Sequence, residues 1–157
     1  MIGWASAPYD PSWQRRHPHR GAWMALAGPA ANFSLMLVAA RAIRAGMALG
    51  QFAPPASISG FSDLALSSAG ERTFVTSALS IFFVLNLLLG TFNLLPVPPL
   101  DGHAGIMLLM PEKLALRYLD FVHEGSFAII GLLIAWQVWG RIFRVILPLG
   151  LRLLYHG

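Results

Sequence analysis

The chain has 157 residues, 56% of them hydrophobic and 11% charged. Soluble domains carry about 25% charged residues, so this composition belongs to a membrane protein, with length for one compact bundle. There is no cysteine, which excludes disulfides and thiolate metal sites, and the net charge of +4 comes from scattered basic residues. Scattered arginines suit helix ends that meet anionic headgroups, and no nucleic-acid partner is expected.

Residues 1–21 carry Trp4, Tyr9 and Trp13 beside Arg15, Arg16 and Arg20. Pro8, Pro11 and Pro18 argue against helix, so an extended interfacial segment is expected. It is polar and Pro-rich rather than basic then apolar, unlike a secretory signal. A membrane helical domain follows over 22–157. Its first span is predicted over 22–44, where an uncharged run can cross about 30 Å of hydrocarbon and Arg41 and Arg44 can snorkel. Pro29 is tolerable inside that span if neighbours satisfy the carbonyl it frees. Residues 46–72, with Pro54, Pro55 and several Ser and Gly, read as a loop outside the membrane.

The second span is predicted over 73–95 and stops before Pro96. A short apolar helix over 102–111 and a charged amphipathic helix over 112–124 come next, the latter lying along the interface. Residues 125–149 form the third span, with Arg141 and Arg144 snorkelling and Trp136, Trp139 and Phe143 in an interface belt. The fold class is therefore an all-α integral membrane protein with about three transmembrane helices plus an interfacial helix. Three alternating spans would put Arg15, Arg16, Arg20, Lys113 and Arg117 on one side. Arg41, Arg44, Arg72, Arg141, Arg144 and Arg152 would fall on the other, a balance that leaves orientation open.

Asp101 is the first charge after the long uncharged run of the second span. A carboxylate near bilayer depth costs roughly 2.5–3.5 kcal/mol on insertion scales, so it is read as functional by default. Prolines just before it would present it from irregular backbone facing a protein-lined cavity, where it could bind a divalent metal. The plainer reading is a Pro-rich turn whose solvated Asp starts the next helix. Asn32 and Asn86 fit interhelical hydrogen bonding, and Asn32 fits a functional role equally well. His17, His19 and His123 read as basic-loop or interfacial residues. His103 reads as a helix-start residue close enough to Asp101 to bond its carboxylate.

Two motifs carry a family resemblance. Gly28-Pro29-Ala30-Ala31-Asn32 resembles the GxxxN motif of site-2 proteases, and Asn93-Leu94-Leu95-Pro96-Val97-Pro98-Pro99-Leu100-Asp101-Gly102 resembles their Asn-x-x-Pro…Asp-Gly motif. Ile2-Gly3-Trp4-Ala5 and the Pro- and Arg-rich residues after it resemble the stretch preceding the GxxxN helix. The likeness runs from Met1 to about Trp139. It implies a zinc metalloprotease core that cuts transmembrane segments of other membrane proteins within the lipid bilayer. By the same resemblance Asp101 is the third metal ligand, Asn32 helps stabilise the oxyanion, and Asn93 shapes the substrate groove or supports the metal.

The departure from the family is the missing HExxH, whose i, i+4 spacing puts two imidazoles on one helix face. His123-Glu124-Gly125-Ser126-Phe127 begins like it but has Phe127 in the second histidine's place, and it follows the Asp-Gly motif instead of preceding it. One carboxylate cannot hold catalytic zinc, which takes three protein ligands, so zinc is implied by the family but not expected on these residues alone. The expectation is an amino-terminally truncated member, inactive as this chain and residing in the cell membrane. The alternative is a non-catalytic relative, a pseudoprotease that binds transmembrane helices without cutting them.

Overall fold

The computed structural model describes residues 11–124 and 127–156. Helix α1 (Pro11–Arg16) leads into α2 (Pro18–Ala48), and a short antiparallel ladder pairs β1 (Phe52–Ala53) with β2 (Leu66–Ser67). Then come α3 (Phe74–Asn93), α4 (Asp101–Gly105), a 3-10 turn over Ile106–Leu109, α5 (Glu112–Glu124) and α6 (Phe127–His156). Helices α2, α3 and α6 are long and apolar enough to cross a membrane. This is the expected all-α membrane architecture with three spans.

The amino-terminal end departs from the sequence reading. Residues 11–21 are helical rather than extended, while 1–10 lie outside the described residues. Pro11 opens α1 and Pro18 opens α2. The first position of a helix has no intrahelical use for an N–H, and proline's fixed φ already suits it. Prolines taken as breakers are therefore starters. Arg15 of α1 then pairs with Asp120 of α5, tying the two short helices together.

Helix α3 begins with a reciprocal cap. The Thr73 hydroxyl accepts from the Thr76 N–H, and the Thr76 hydroxyl accepts from the Thr73 N–H. Its buried polar side chains are satisfied by its own backbone. Ser80 donates to the Thr76 carbonyl, Asn86 to that of Phe82 and Thr91 to that of Leu87, each one turn back. Asn86 thus bonds within its helix, where an interhelical bond was expected. Such back-bonding lets a polar group sit in an apolar layer without a partner on another helix.

The largest core joins Met36, Ala39, Ala40 and Ile43 of α2 to Phe83, Val84 and Leu87 of α3 and Leu154 of α6. Small residues permit the approach. A Cβ on Gly90 of α3 would stand 3.2 Å from the Phe33 ring, and one on Gly150 of α6 would stand 2.6 Å from Leu87 Cδ2. Removing side chains at such crossings is how membrane helices gain contact in the absence of a hydrophobic drive. Most of α6 is left uncovered, with Ile129, Leu133 and Trp136 pointing outward. Trp139 turns inward and meets the Phe92 ring edge-on.

The connection between α2 and α3 is more than a surface loop. Gly50 and Gly70 turn it with φ of 70° and 78°, a region that glycine enters without strain. Between those turns Leu64 and Ala65 are buried in the main core. The neighbouring Asp63 is buried too, and it accepts from the Ser59 and Ser62 hydroxyls and from Arg72 Nη1. Tyr155 at the far end of α6 donates to the Leu64 carbonyl at 2.8 Å. The segment is therefore a plug, braced within by Asp63 and pinned to the helices by the core and by Tyr155.

Candidate functional site

The candidate site forms where α2, the end of α3 and α4 converge. After Asn93 the backbone folds through compact turns, with Leu95 N–H bonding the Phe92 carbonyl, Val97 that of Leu95 and Leu100 that of Val97. Leu100 is extended (φ −76°, ψ 152°), and Asp101 opens α4 directly after it. The prolines separate the end of one helix from the head of the next, so Asp101 stands at a helix start, as in the plainer reading, and not on irregular backbone; it is half-buried rather than solvated.

Gly102 explains the second half of the Asp-Gly pair. A Cβ there would stand 2.5 Å from the Leu95 carbonyl oxygen and closer still to that of Leu94. Only glycine lets α4 lie against the backbone that leaves α3. This close approach sets where Asp101 stands. Its Oδ2 lies against the backbone of α2 at Gly28, 3.0 Å from where a Cβ would be. The first residue of one motif thus meets the acid of the other.

Asn32 is one turn beyond Gly28 on the same side of α2. A Cβ on Gly90 would stand 3.3 Å from Asn32 Cβ, so α3 closes on the helix beside it. Asn93 follows Gly90 by three residues, on the same side of α3. Asn32, Asn93 and Asp101 are each half-buried. Pro29 is buried inside α2 between Gly28 and Asn32 and cannot donate to the Ala25 carbonyl.

The histidines do not gather at Asp101. His103 Nδ1 is within hydrogen-bonding distance of the Leu100 carbonyl, and its ring lies 6.4 Å from that of Tyr118. Burial pushes the Tyr118 phenol above its ordinary pKa, so it remains a neutral donor. His19 Nε2 lies 2.9 Å from the Met110 carbonyl, and His17 packs edge-on against Trp13. The side chain of His123 lies outside the described residues. Among the described residues no three His, Cys, Asp or Glu side chains are grouped to hold a metal. The described donor set at Asp101 is one carboxylate and one imidazole, His103, whose Nδ1 is on the Leu100 carbonyl; this falls short of the three protein ligands that catalytic zinc takes.

The glycines are the close-packing positions around the candidate site that composition and spacing did not single out. Gly90 stands alone in an otherwise bulky stretch of α3, and a mid-helix glycine of that kind signals close packing. Gly131 of α6 similarly lies against the Pro98 carbonyl, which fixes the Pro-rich turn from outside. No such sign marks Gly102 apart from the Asp-Gly resemblance itself.

No curated protein and no solved structure matches this chain. The family model described as Peptidase family M50 matches residues 5–136, a stretch that takes in both motifs and all three helices meeting at Asp101. The chain therefore belongs to Peptidase family M50, the site-2 protease family.

Proposed function

We propose that this chain is the part of a site-2 protease-type enzyme that supplies an acidic metal ligand and the helix faces beside which a substrate's transmembrane segment lies. The observation that supports this reading most is the Asp101 carboxylate seated against Gly28, which unites the two motifs of the family. In this reading Asp101 is the acidic donor. The Asn32 amide donates to the oxyanion that develops on the scissile carbonyl, a task for a fixed neutral donor. Asn93 shapes the groove beside them.

Zinc is the metal the family implies, and its chemistry needs three protein ligands and a base. In this reading two imidazoles and a glutamate join Asp101 from an HExxH helix, because the described residues group no such set around it, and without them no peptide bond is hydrolysed. Its partners are membrane proteins with transmembrane segments, met within the bilayer of the cell membrane.

The test supplies what is missing. The chain is reconstituted in nanodiscs with and without a separate apolar helix carrying His and Glu at HExxH spacing, and zinc is counted by mass spectrometry. Zinc should be absent without the helix and stoichiometric with it, and Asp101→Asn should abolish the retention. Equal zinc in the complemented Asp101→Asn protein rules the reading out. A second reading, a module that captures transmembrane helices without cutting them, is favoured by the lack, among the described residues, of three His, Cys, Asp or Glu side chains grouped to hold a metal. It requires that helices crosslink to the Asn32 face while no zinc is retained under either condition.

A further inference from the structure

A cavity lies far from Asp101, toward the opposite end of α2. It measures about 460 Å³ and is bounded by Arg44 and Met47 of α2, by Pro54, Pro55 and Ile58 of the connecting plug, and by the last turn of α6. Leu154, Tyr155 and His156 form that last wall.

Its chemistry is divided. One side is apolar, made by Met47, Pro54, Pro55, Ile58 and Leu154. The other side holds the Arg44 guanidinium and the His156 imidazole. Among the described residues lining it there is no carboxylate. The buried acid of the plug, Asp63, is already held by Ser59, Ser62 and Arg72. The Tyr155 hydroxyl is committed to the Leu64 carbonyl. Arg44 gives one N–H to the Leu153 carbonyl at 3.3 Å and keeps its remaining donors. Exposed Arg41 is one turn before Arg44, and exposed Arg152 one turn before His156, so both widen the positive field on the same helix faces.

Depth identifies the ligand. Helices α2 and α6 have 31 and 30 residues. At 1.5 Å per residue each is about 45 Å long, close to the roughly 40–45 Å of a bilayer with its headgroups. Arg44, one turn before the end of α2, and His156, the last residue of α6, both lie beyond the uncharged stretches of their helices, a position that suits headgroup level. A basic pocket between transmembrane helices at that level suits an anionic lipid.

We propose that this cavity binds one anionic phospholipid, its phosphate on Arg44 and its glycerol and first methylenes against Pro54, Pro55 and Ile58. Arg44 then joins the ends of α2 and α6 through the Leu153 carbonyl and the lipid together.

The experiment is native mass spectrometry of the purified full chain extracted from nanodiscs of phosphatidylglycerol or of phosphatidylcholine. The expected result is one phosphatidylglycerol retained through detergent, no retained phosphatidylcholine, and about a tenfold weaker affinity in Arg44→Gln, equivalent to about 1.4 kcal/mol. Because Arg44→Gln also removes the bond to Leu153, Ile58→Trp is made as well; it fills the apolar side, keeps every charge, and should also lose the lipid. Arg141→Gln, on α6 outside the cavity, should retain it. Retention unchanged in Arg44→Gln and Ile58→Trp overturns the proposal. So does an equal loss in Arg141→Gln, which would indicate only a diffuse field. Displacement by excess inorganic phosphate overturns it too, by revealing a site for the phosphate alone.

Discussion

Replacing Gly102 with alanine tests the argument that backbone proximity places Asp101. The new Cβ would stand 2.5 Å from the Leu95 carbonyl oxygen, with the Leu94 carbonyl nearer still. Restoring ordinary contact requires α4 or the α3 exit to move by about 1 Å, and overpacking of this kind costs about 1–3 kcal/mol. Taking about 2 kcal/mol for the overpacking and up to about 1 kcal/mol returned by alanine's better helix propensity, a net loss of about 1–2 kcal/mol remains. For a chain of this size that is a fall in Tm of roughly 2–8 °C. Two control substitutions calibrate it. At Gly105 the added Cβ meets the Leu26 side chain, Cδ2 at 2.8 Å and Cγ at 3.3 Å, and not backbone, so Gly105→Ala should cost less. At Gly140 nothing lies within 4 Å, and alanine should stabilise α6 by up to about 1 kcal/mol. Thermal unfolding in detergent, followed by tryptophan fluorescence, reads all three. If Gly102→Ala melts no lower than Gly105→Ala, the backbone contact does not position Asp101 and the explanation of the Asp-Gly pair is wrong.

Two further outcomes concern the plug between α2 and α3. The hydroxyls of Ser59 and Ser62 hold the Asp63 carboxyl below its ordinary pKa, with Arg72 adding to them and burial opposing them. A depressed folded-state pKa means stability that is complete above the ordinary carboxylate range and lost as pH falls through the folded value. Tm should therefore drop on acidification below about pH 4, and Asp63→Asn should flatten that acid limb; an unchanged limb would refute the role given to Asp63. Tyr155→Phe removes the bond to the Leu64 carbonyl and should cost about 1 kcal/mol. Faster hydrogen exchange at the plug amides near Leu64, without change at α3, is the expected signature. Exchange that rises evenly along the chain would mean that Tyr155 does not pin the plug.

The spans were legible because an uncharged run long enough to cross hydrocarbon has few alternatives, and the three helices cover the stretches expected of them. Helix beginnings were harder to read. Pro11 and Pro18 carry one residue type with two opposite meanings, and which applies depends on whether the N–H is needed. Residues 46–72 have the composition of a solvent loop, yet Leu64 and Ala65 complete the core. Burial of that kind is a tertiary fact with no local period to announce it. The direction in which Asn86 bonds was equally hidden, since a polar residue in a span can turn to its own backbone or to a neighbour. At the site, Asp101 and Asn32 stood out as polar groups in or beside apolar runs, Asn93 only through motif resemblance, and the helices that carry them converge. What spacing could not supply was the reason for the convergence: bare backbone at Gly28, Gly90 and Gly102.

Pro29 has a consequence for the solvent. By withholding a donor it leaves the Ala25 carbonyl without its helical partner, one turn from where the Asp101 oxygen rests on Gly28. Lipid tails offer a donor to neither oxygen, so hydrocarbon is a costly neighbour for both. This side of α2 is therefore better suited to protein or water than to lipid.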